Sequence, residues 1–338
     1  MTKLVSLSIE IIENPNDILK YLQLGINIPV LEEFHEFILH DLNVYNAKSL
    51  ILKEDNKVVA HTLAYDDGGE VLFFGFFGAI DHDEKYIVFL LEKLLKFAKK
   101  HQYKIIRGPI NPPTFIYGWG FMTEDSLGDL SISKPVNPPI YQKIFTQLGF
   151  YVKSKQGTWE GEVYKISKEE LEKYDFEGYE IHSPKDWDEI SKLKLPIVIL
   201  SIRNLALESR VTPSSDKLFE NFIAFSKKYG NIYMLKLLRH KKSRQFVGCF
   251  ITLPNPFKKN QEEKYKSIVG YSLTIDKEHR GKGLSIYIVK EVYEAAYEDE
   301  VRYISVPMEI NVFECRNLVK NNLGFSYTRT HLILERKV

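Results

Sequence analysis

Residues 267–288 read SIVGYSLTIDKEHRGKGLSIYI, and this stretch is the strongest indication of the fold in the whole sequence. Its first part, from Ile268 to Asp276, is apolar, β-branched and aromatic, which is typical of a buried strand. The next part, RGKGLS at residues 280–285, contains two glycines and predicts a turn. Apolar residues then recur with helical spacing, so a helix is predicted to follow.

The glycine turn is suited to binding an anion. Glycine lets the backbone approach a ligand closely, and the first turn of a helix carries unpaired N–H groups and the positive end of the helix dipole. The stretch therefore predicts a phosphate cradle, with an ordinary strand-to-helix connection as the alternative. It lacks the spacing of a P-loop, and its strand does not stand at the head of a βαβ series as in dinucleotide-binding folds.

The composition excludes several classes of protein. The chain has 338 residues, enough for about two domains, and 46 basic against 45 acidic residues give a net charge of +1. This balance argues against a general nucleic-acid binder. Two cysteines, Cys249 and Cys315, cannot form a disulfide framework, so we expect a cytoplasmic protein. We expect no signal peptide, no membrane span and no metal site.

The predicted elements follow the same order twice. The first half has a strand at 5–12, helices up to 41, strands at 49–53, 58–65 and 71–80, a helix at 84–100, a strand at 104–108 and a long loop at 109–139. After a charged connector at 167–178, the second half repeats this order, with strands at 232–239, 245–252 and 267–275.

Two short sequences recur at matching places in the halves. QLGF at 147–150 matches NLGF at 322–325, and AID at 79–81 matches TID at 274–276. Together with the element order, they predict two tandem domains, at residues 1–168 and 169–338. Each is expected to be of the α/β (α+β) class, with a mixed, mostly antiparallel twisted sheet flanked by helices.

The glycine turn resembles the acyl-CoA signature of the GNAT superfamily of N-acyltransferases, R/Q-x-x-G-x-G/A after a β-strand. Arg280, Gly283 and Ser285 occupy the three signature positions, with Ser285 in place of the usual Gly or Ala. FGFF at 74–77, RGPIN at 107–111 and NPPIY at 137–141 are similar to a group of tandem GNAT-like proteins without established substrates. The resemblance covers nearly the whole chain and implies a tandem GNAT fold with acetyl-CoA or another acyl-CoA as co-substrate.

The resemblance also implies which residues hold the acyl-CoA. In the family, the strand before the turn pairs with the pantetheine amides, a role that falls here to the backbone of Leu273, Thr274 and Ile275. The N–H groups expected to bind the diphosphate belong to Arg280, Gly281, Lys282, Gly283, Leu284 and Ser285. Arg280 and Lys282 would add positive charge, although a solvated turn could contain the same residues.

Direct transfer from a thioester to an amine requires a base, an oxyanion donor and an acid. Many GNAT proteins use as acid a tyrosine four residues before the Gly of Gly-Phe, where this chain has Lys320. Glu309, as a base, and Asn311 are candidates to face the cleft, because they follow a predicted strand. Tyr271 is a candidate acid. Each of these three residues could instead be an ordinary surface or core residue.

The first half lacks the glycine turn. Its corresponding segment, Asp81 to Glu84, carries three carboxylates, which would repel a diphosphate but suit the cap of a helix. We therefore expect the first half to bind no CoA. Its long loop contains YGWGF at 117–121, which predicts either a lid over an acceptor or acyl chain or an apolar plug between domains.

The sequence thus predicts an acyl-CoA-dependent N-acyltransferase that acts on the amine of a small molecule or peptide, without a nucleic-acid or membrane partner. Two alternatives stay open. One is a non-catalytic GNAT-like protein that binds or senses CoA, and the other is a Fem-like aminoacyl transferase that uses charged tRNA. The oligomeric state is open at this point.

Overall fold

The structure is a computed structural model, and it describes residues 6–126, 130–204, 211–213, 217–257, 266–310, 318, 320 and 323–338. The chain divides into two compact units that are interleaved in the sequence. Unit 1 comprises Met1–Gln156, Val211–Asn221 and Arg329–Val338, and unit 2 comprises Gly157–Arg210 and Phe222–Thr328. The predicted domains, 1–168 and 169–338, are continuous, whereas each compact unit is built from more than one segment.

Unit 1 is built on a mixed sheet with helices. Its strands are β1 (Leu7–Ile12), β2 (Lys48–Glu54), β3 (Lys57–Tyr65), β4 (Val71–Ala79), β5 (Ile105–Gly108), β6 (Phe121–Met122) and most of the last strand, β13 (Ser326–Lys337). Its helices are α1 (Pro15–Leu22), α2 (His35–Val44), α3 (Glu84–Lys100), α4 (Thr114–Tyr117) and α5 (Ile140–Gln147). The strand order is β1-β2-β3-β4-β5-β13, in which β4 and β5 are parallel and the other pairs are antiparallel.

Helix α3 follows directly from its sequence. Its apolar residues lie on one side and are buried against the sheet, and they are Ile87, Leu90, Leu91, Leu94 and Ala98. Asp83 caps the helix by accepting a 2.8 Å hydrogen bond from the N–H of Lys85. The predicted helix at 84–100 and the predicted capping role of the acidic segment are thereby confirmed.

Strands β4 and β5 pair through only three residue pairs and then separate. Beyond Phe73, the chain's own loop fills the space beside β4. The N–H of Ile110 donates to the carbonyl of Phe74 at 2.8 Å, and the side-chain oxygen of Asn111 accepts from the N–H of Phe76 at 2.7 Å. The Asn111 amide also donates to the carbonyl of Tyr117 at 3.1 Å. The backbone of β4 is therefore satisfied from within unit 1.

The aromatic residues of the long loop are part of the core of unit 1. Tyr117 is fully buried and Phe121 is 1% exposed, and the Tyr117 ring lies 5.2 Å from that of Phe76. The prediction of a lid is therefore wrong for these side chains. They are buried because the loop returns to the sheet and pairs with β4 and β13. The loop's own sequence does not specify this pairing.

Unit 2 also combines mixed strand pairing with helices. Its strands are the end of β7 (Tyr151–Glu162), β8 (Tyr179–His182), β9 (Leu235–His240), β10 (Phe246–Pro254), β11 (Ser267–Ile275) and β12 (Tyr303–Glu309). Its helices are α6 (Lys168–Leu171), α7 (Trp187–Lys192), α8 (Lys194–Asn204), most of α9 (Leu218–Tyr229) and α10 (Leu284–Glu298). The strand order is β12-β11-β10-β9-β8, and only β11 with β12 is a parallel pair in the described register.

The two units repeat one topology. β4 and β11 each run for nine residues, each ends at the recurring tripeptide, and each pairs in parallel with the next strand through three residue pairs. Gly149 and Gly324 of the second recurring sequence both have positive φ, at 86° and 66°. The predicted tandem repeat of the fold is confirmed.

A buried carboxyl group, that of Asp41, bonds to Asn221 within unit 1. Asp41 is 3% exposed, and it accepts hydrogen bonds from Asn221 at 2.7 Å and from His40 at 2.9 Å. Burial raises the pKa of Asp41 from its ordinary value of 3.8 to about 6, although the bonds from His40 and Asn221 act in the opposite direction. The charged form of this carboxyl is thus partly destabilised by burial.

Replacing Asn111 tests whether its amide holds the loop against β4. Asn111→Ala should lower the free energy of unfolding by about 1–3 kcal/mol, because it leaves the buried N–H of Phe76 without its acceptor. Urea denaturation of the whole protein measures this change. Asn43→Ala, which removes an exposed amide bonded to Leu39, is the control and should change stability by less than about 0.5 kcal/mol. Equal effects of the two variants would contradict this role.

Replacing Asp41 gives a pH-dependent change in stability. The folded protein retains the Asp41 proton at a higher pH than the unfolded chain, so wild-type stability should fall as the pH rises from about 4 to about 6. Asp41→Asn keeps an oxygen for Asn221 and removes the charge. The variant should match wild type near pH 4 and exceed its stability by about 1–3 kcal/mol at neutral pH. Denaturation across this range is the measurement.

The control for this experiment is Asp17→Asn, which changes an exposed carboxylate paired with Lys20. It should leave the pH dependence of stability as in wild type. An Asp41→Asn variant that is less stable than wild type at neutral pH would show that the folded state requires the carboxylate.

Candidate functional site

The edge of β11 becomes available where β11 and β12 separate. Ser267, Ile268 and Val269 pair with residues 303–305 of β12, and then the pairing stops although β12 continues to Glu309. Residues 270–275 keep their antiparallel pairing with β10 on the other edge, with a bulge at Tyr271. Along β11 the side chains change from buried to half-buried at this point. The second half of β11 therefore has one edge that no strand covers in the described register.

The three residues predicted to pair with pantetheine lie on this uncovered part. Leu273, Thr274 and Ile275 are half-buried, and they pair with Phe250, Cys249 and Gly248 of β10. An uncovered strand edge presents N–H and C=O groups that can pair with an extended amide-containing ligand. This edge leads directly into the glycine turn.

Several backbone N–H groups of the turn make no hydrogen bond within the described residues. Gly281 and Gly283 have φ values of 80° and 72°, which glycine adopts without strain, and Gly283 is the N-cap of α10. The N–H groups of residues 281–285 have no acceptor within the part of the chain that the structure describes. Those of Ile286 and Tyr287 donate to the carbonyl of Gly283 at 3.0 and 3.3 Å. Such an array, at the positive end of a helix of 15 residues, can bind an anion.

The two glycines of the turn face different surroundings. A Cβ atom on Gly281 would meet nothing within 4 Å, whereas one on Gly283 would lie 2.2 Å from Cδ1 of the Tyr174 ring. The ring of Phe176 stacks on that of Tyr287, with centroids 4.4 Å apart. Aromatic residues from the segment after α6 thus pack against one side of the turn, and Gly281 lies on its open side.

The basic side chains of the turn are positioned by hydrogen bonds. Nε of Arg280 donates to the carbonyl of Ile275 at 2.9 Å, which places the guanidinium at the end of β11. Nζ of Lys282 donates to the Tyr179 hydroxyl at 2.9 Å. Nearby, Asp276 accepts from Arg203 at 3.1 Å and from Asn204 at 2.6 Å. The acid next to the turn is thus already paired, and the net charge beside the turn is positive.

The corresponding place in unit 1 has neither feature. Its turn residues Asp81 and His82 precede the N-cap Asp83, and the Tyr141 hydroxyl lies against the end of β4, accepting from the N–H of Ala79 at 3.1 Å. The uncovered part of β4 is paired with the loop through Ile110 and Asn111. Both the edge and the turn that are available in unit 2 are therefore filled in unit 1.

The predicted catalytic residues have three different placements. Glu309 is the last residue of β12 and is 8% exposed. Tyr271 is at the bulge of β11, where its ring lies 5.3 Å from that of Phe222. Asn311 lies outside the described residues. Glu309 and Tyr271 belong to the two strands that separate.

Tyr174 and Tyr179 are site residues that the sequence interpretation missed. The predicted charged connector, 167–178, contains Tyr174 and Phe176, and Tyr179 follows it directly, so three aromatic residues occur within six positions. Such a density of aromatic side chains is unusual for a solvated linker and indicates packing. That signal could have predicted that these side chains pack against the fold.

The described residues contain neither a candidate metal site nor a candidate membrane span. No group of three or more His, Cys, Asp and Glu residues in the described ranges could hold a metal ion. No helix in the part of the chain that the structure covers is both long enough and apolar enough to span a membrane.

Solved structures share this architecture over nearly the whole chain. A tandem GNAT protein from the clavulanic acid biosynthesis pathway has a TM-score of 0.60 at 12% identity, covering 98% of both chains. A GCN5-related N-acetyltransferase from Sphaerobacter thermophilus has a TM-score of 0.59 at 11% identity, covering 98% of this chain and 95% of that one.

A third structure is the GCN5-related glucosamine N-acetyltransferase region of a fungal multi-domain GH3 β-N-acetylglucosaminidase. It has a TM-score of 0.64 at 13% identity, covering 99% of this chain and 38% of that one. No family model and no curated protein matches the sequence. At these identities the similarity shows the fold, and the chain therefore has the fold of the tandem GNAT N-acetyltransferases.

Proposed function

We propose that this protein transfers an acyl group from an acyl-CoA to the amine of a small molecule or peptide. The acyl-CoA of this proposal is acetyl-CoA, and unit 2 binds it. The observation that carries the proposal is the uncovered edge of β11, which runs directly into the glycine turn at the start of α10. The fold shared with GNAT N-acetyltransferases supports the same reaction class.

The uncovered edge of β11 fits the pantetheine arm of CoA. Pantetheine contains two amides in an extended chain, and extended amides pair with strand edges. Leu273, Thr274 and Ile275 supply the backbone groups on that edge in this proposal. β12 leaves room there because it separates from β11 after residue 305.

The turn fits the diphosphate of the same ligand. The N–H groups of residues 281–285 lie in consecutive positions, and two of these residues are glycines whose backbone a ligand can approach closely. Lys282 and the exposed Arg280 add positive charge beside them. Leu284 is 2% exposed and anchors the first turn of α10 in the core, so the N–H groups are held in place before a ligand binds.

The bound thioester supplies an activated carbonyl carbon. In the transfer, the amine nitrogen forms a bond to this carbon, the bond from carbon to sulfur breaks, and the amine proton passes to a base. Glu309 is assigned as that base, because it ends the strand that separates from β11. Tyr271 is assigned as the group that protonates the leaving thiolate, and Asn311 is kept as a catalytic candidate from the sequence.

In the same proposal, unit 1 binds no acyl-CoA and serves as scaffold. Asn111 already occupies the edge of β4 with its side-chain amide, and Asp83 already caps α3. An acyl-CoA bound there would have to displace buried, satisfied hydrogen bonds.

Replacing Gly281 tests the diphosphate site. Gly281→Asp places a carboxylate on the open side of the turn, and it should weaken acetyl-CoA binding by at least about tenfold because like charges repel. Gly281→Asn is the matched control, because Asn has the same shape, tolerates the positive φ equally well and carries no charge. Isothermal titration measures both affinities, and thermal unfolding checks that both variants fold.

Gly283 is less suited to this test, because any side chain there meets the Tyr174 ring and disturbs the fold. Asp81→Asn at the corresponding place in unit 1 should leave the affinity unchanged. If wild type produces no heat with acetyl-CoA at high micromolar concentration, the proposal is wrong. If Gly281→Asp and Gly281→Asn bind equally well, the diphosphate lies elsewhere.

Replacing Glu309 tests the transfer step. Glu309→Gln should reduce turnover by about 100-fold or more while the affinity for acetyl-CoA stays within about twofold of wild type, because a base acts on the amine and not on the thioester. Thiol release over a panel of amines measures the turnover. Tight binding of acetyl-CoA by wild type without turnover on any amine would favour the non-catalytic, CoA-binding alternative.

A further inference from the structure

Four side chains, of which the proposed function uses only Lys282, meet beside the glycine turn. They are Tyr179 of β8, His240 at the end of β9, His279 in the short turn after β11, and Lys282. The Tyr179 hydroxyl lies 2.8 Å from Nδ1 of His279 and 2.9 Å from Nζ of Lys282. The His240 ring lies 5.2 Å from that of His279 and 5.4 Å from that of Tyr179, between centroids.

The hydrogen bonds around Tyr179 are compatible with a neutral His279. Lys282 can only donate, so it donates to the oxygen of Tyr179 and leaves the hydroxyl hydrogen free to bond elsewhere. Tyr179 can then donate to Nδ1 of His279, and in that arrangement the ring hydrogen lies on Nε2. In this state His279 is neutral, and hydrogen bonds run from Lys282 to Tyr179 and from Tyr179 to His279.

The cluster contains cationic groups without an internal counter-ion. Among the described residues, Lys282, His240 and His279 form no ion pair with a carboxylate. Nδ1 of His240 instead contacts the hydroxyl of Ser243 at 3.0 Å. The lysine and imidazole groups surround a neutral hydroxyl and are partly open to solvent. An anion bound there would accept hydrogen bonds from them and balance their charge.

Three further charged residues lie around this cluster. Asp276 is engaged by Arg203 and Asn204, and Glu278 is exposed on the same short turn as His279. Lys241, next to His240, donates to the carbonyl of Glu177 at 2.6 Å.

His279 resists protonation in the absence of an anion. Burial first, and then His240 and Lys282, hold the pKa of His279 below its ordinary value of 6.5, while Asp276 and Glu278 act in the opposite direction. Two imidazoles this close cannot both be charged at low cost unless an anion lies between them.

We infer that His240, His279 and Lys282 form a subsite for a phosphate monoester, carried by the same ligand whose diphosphate the turn binds, and that a proton is taken up as this phosphate binds. The inference rests on the proposed function, because a ligand with both groups is CoA, whose ribose bears a 3′-phosphate. It assigns to this cluster the discrimination between CoA and dephospho-CoA, which lacks only that phosphate.

The subsite predicts a pH dependence that is specific to the phosphate. As the pH falls from about 8 to about 6.5, His279 gains its proton more readily beside a dianion, so CoA should bind about five- to tenfold more tightly. Below about pH 6 the phosphate itself takes up a proton and the gain should end. Dephospho-CoA should bind with nearly constant affinity over the same range.

Titration calorimetry with CoA and with dephospho-CoA tests the inference. Near pH 7.5, where the phosphate is a dianion, titrations in buffers of different ionisation enthalpy should show proton uptake with CoA and none with dephospho-CoA. His279→Gln should remove the pH dependence and the proton uptake for CoA while dephospho-CoA binds as to wild type. Lys242→Gln, which removes a neighbouring exposed charge outside the cluster, is the matched control and should retain both.

Two results would overturn the inference. If both ligands bind wild type with the same pH profile, the cluster is not a phosphate subsite, although the proposed function stands. If neither ligand binds at any pH, the proposed function fails and the inference fails with it. In solution NMR, the His279 ring should titrate at a higher pH with CoA than with dephospho-CoA, and equal titration would count against the inference even if the His279→Gln variant folds poorly.

Discussion

The separation of two parallel strands after three residue pairs is the constraint on which the rest of the structure depends. A strand that loses its neighbour exposes N–H and C=O groups, and these groups require partners. In unit 1 the partners come from the same chain, through Ile110 and the side chain of Asn111. In unit 2 the corresponding edge, on residues 270–275 of β11, is left for a ligand in our proposal. The same topology therefore has a covered strand edge in unit 1 and an uncovered one in unit 2.

The difference between the units is one of packing as much as of charge. The acidic segment after β4 argues against a diphosphate in unit 1, but the loop beside β4 argues more strongly, because a ligand would have to displace buried hydrogen bonds. The aromatic residues on which the prediction of a lid rested hold the loop in place, since Tyr117 and Phe121 are buried. The loop beside β4 thus stabilises unit 1 at the position where unit 2 has the uncovered edge of β11.

The turn in unit 2 is held by residues that lie far from it in the sequence. Tyr174 packs on Gly283, Phe176 stacks on Tyr287, and Asp276 is fixed by the end of α8. These contacts hold the N–H groups of the turn in one arrangement before any ligand binds, which lowers the entropic cost of binding. Tyr179, His240 and His279 lie beside the same turn.

The sequence by itself determined the elements whose signals are local. The apolar periodicity of α3, its cap at Asp83, the paired glycines of the turn and the repeated element order all follow from residues a few positions apart, and the structure confirms them. The tertiary structure alone decided that Asn111 fills the edge of β4, that Tyr174 covers Gly283 and that Asn221 bonds to Asp41. Those contacts join residues 35 to 180 positions apart, and no local pattern encodes such pairings because they form only when separate elements pack together.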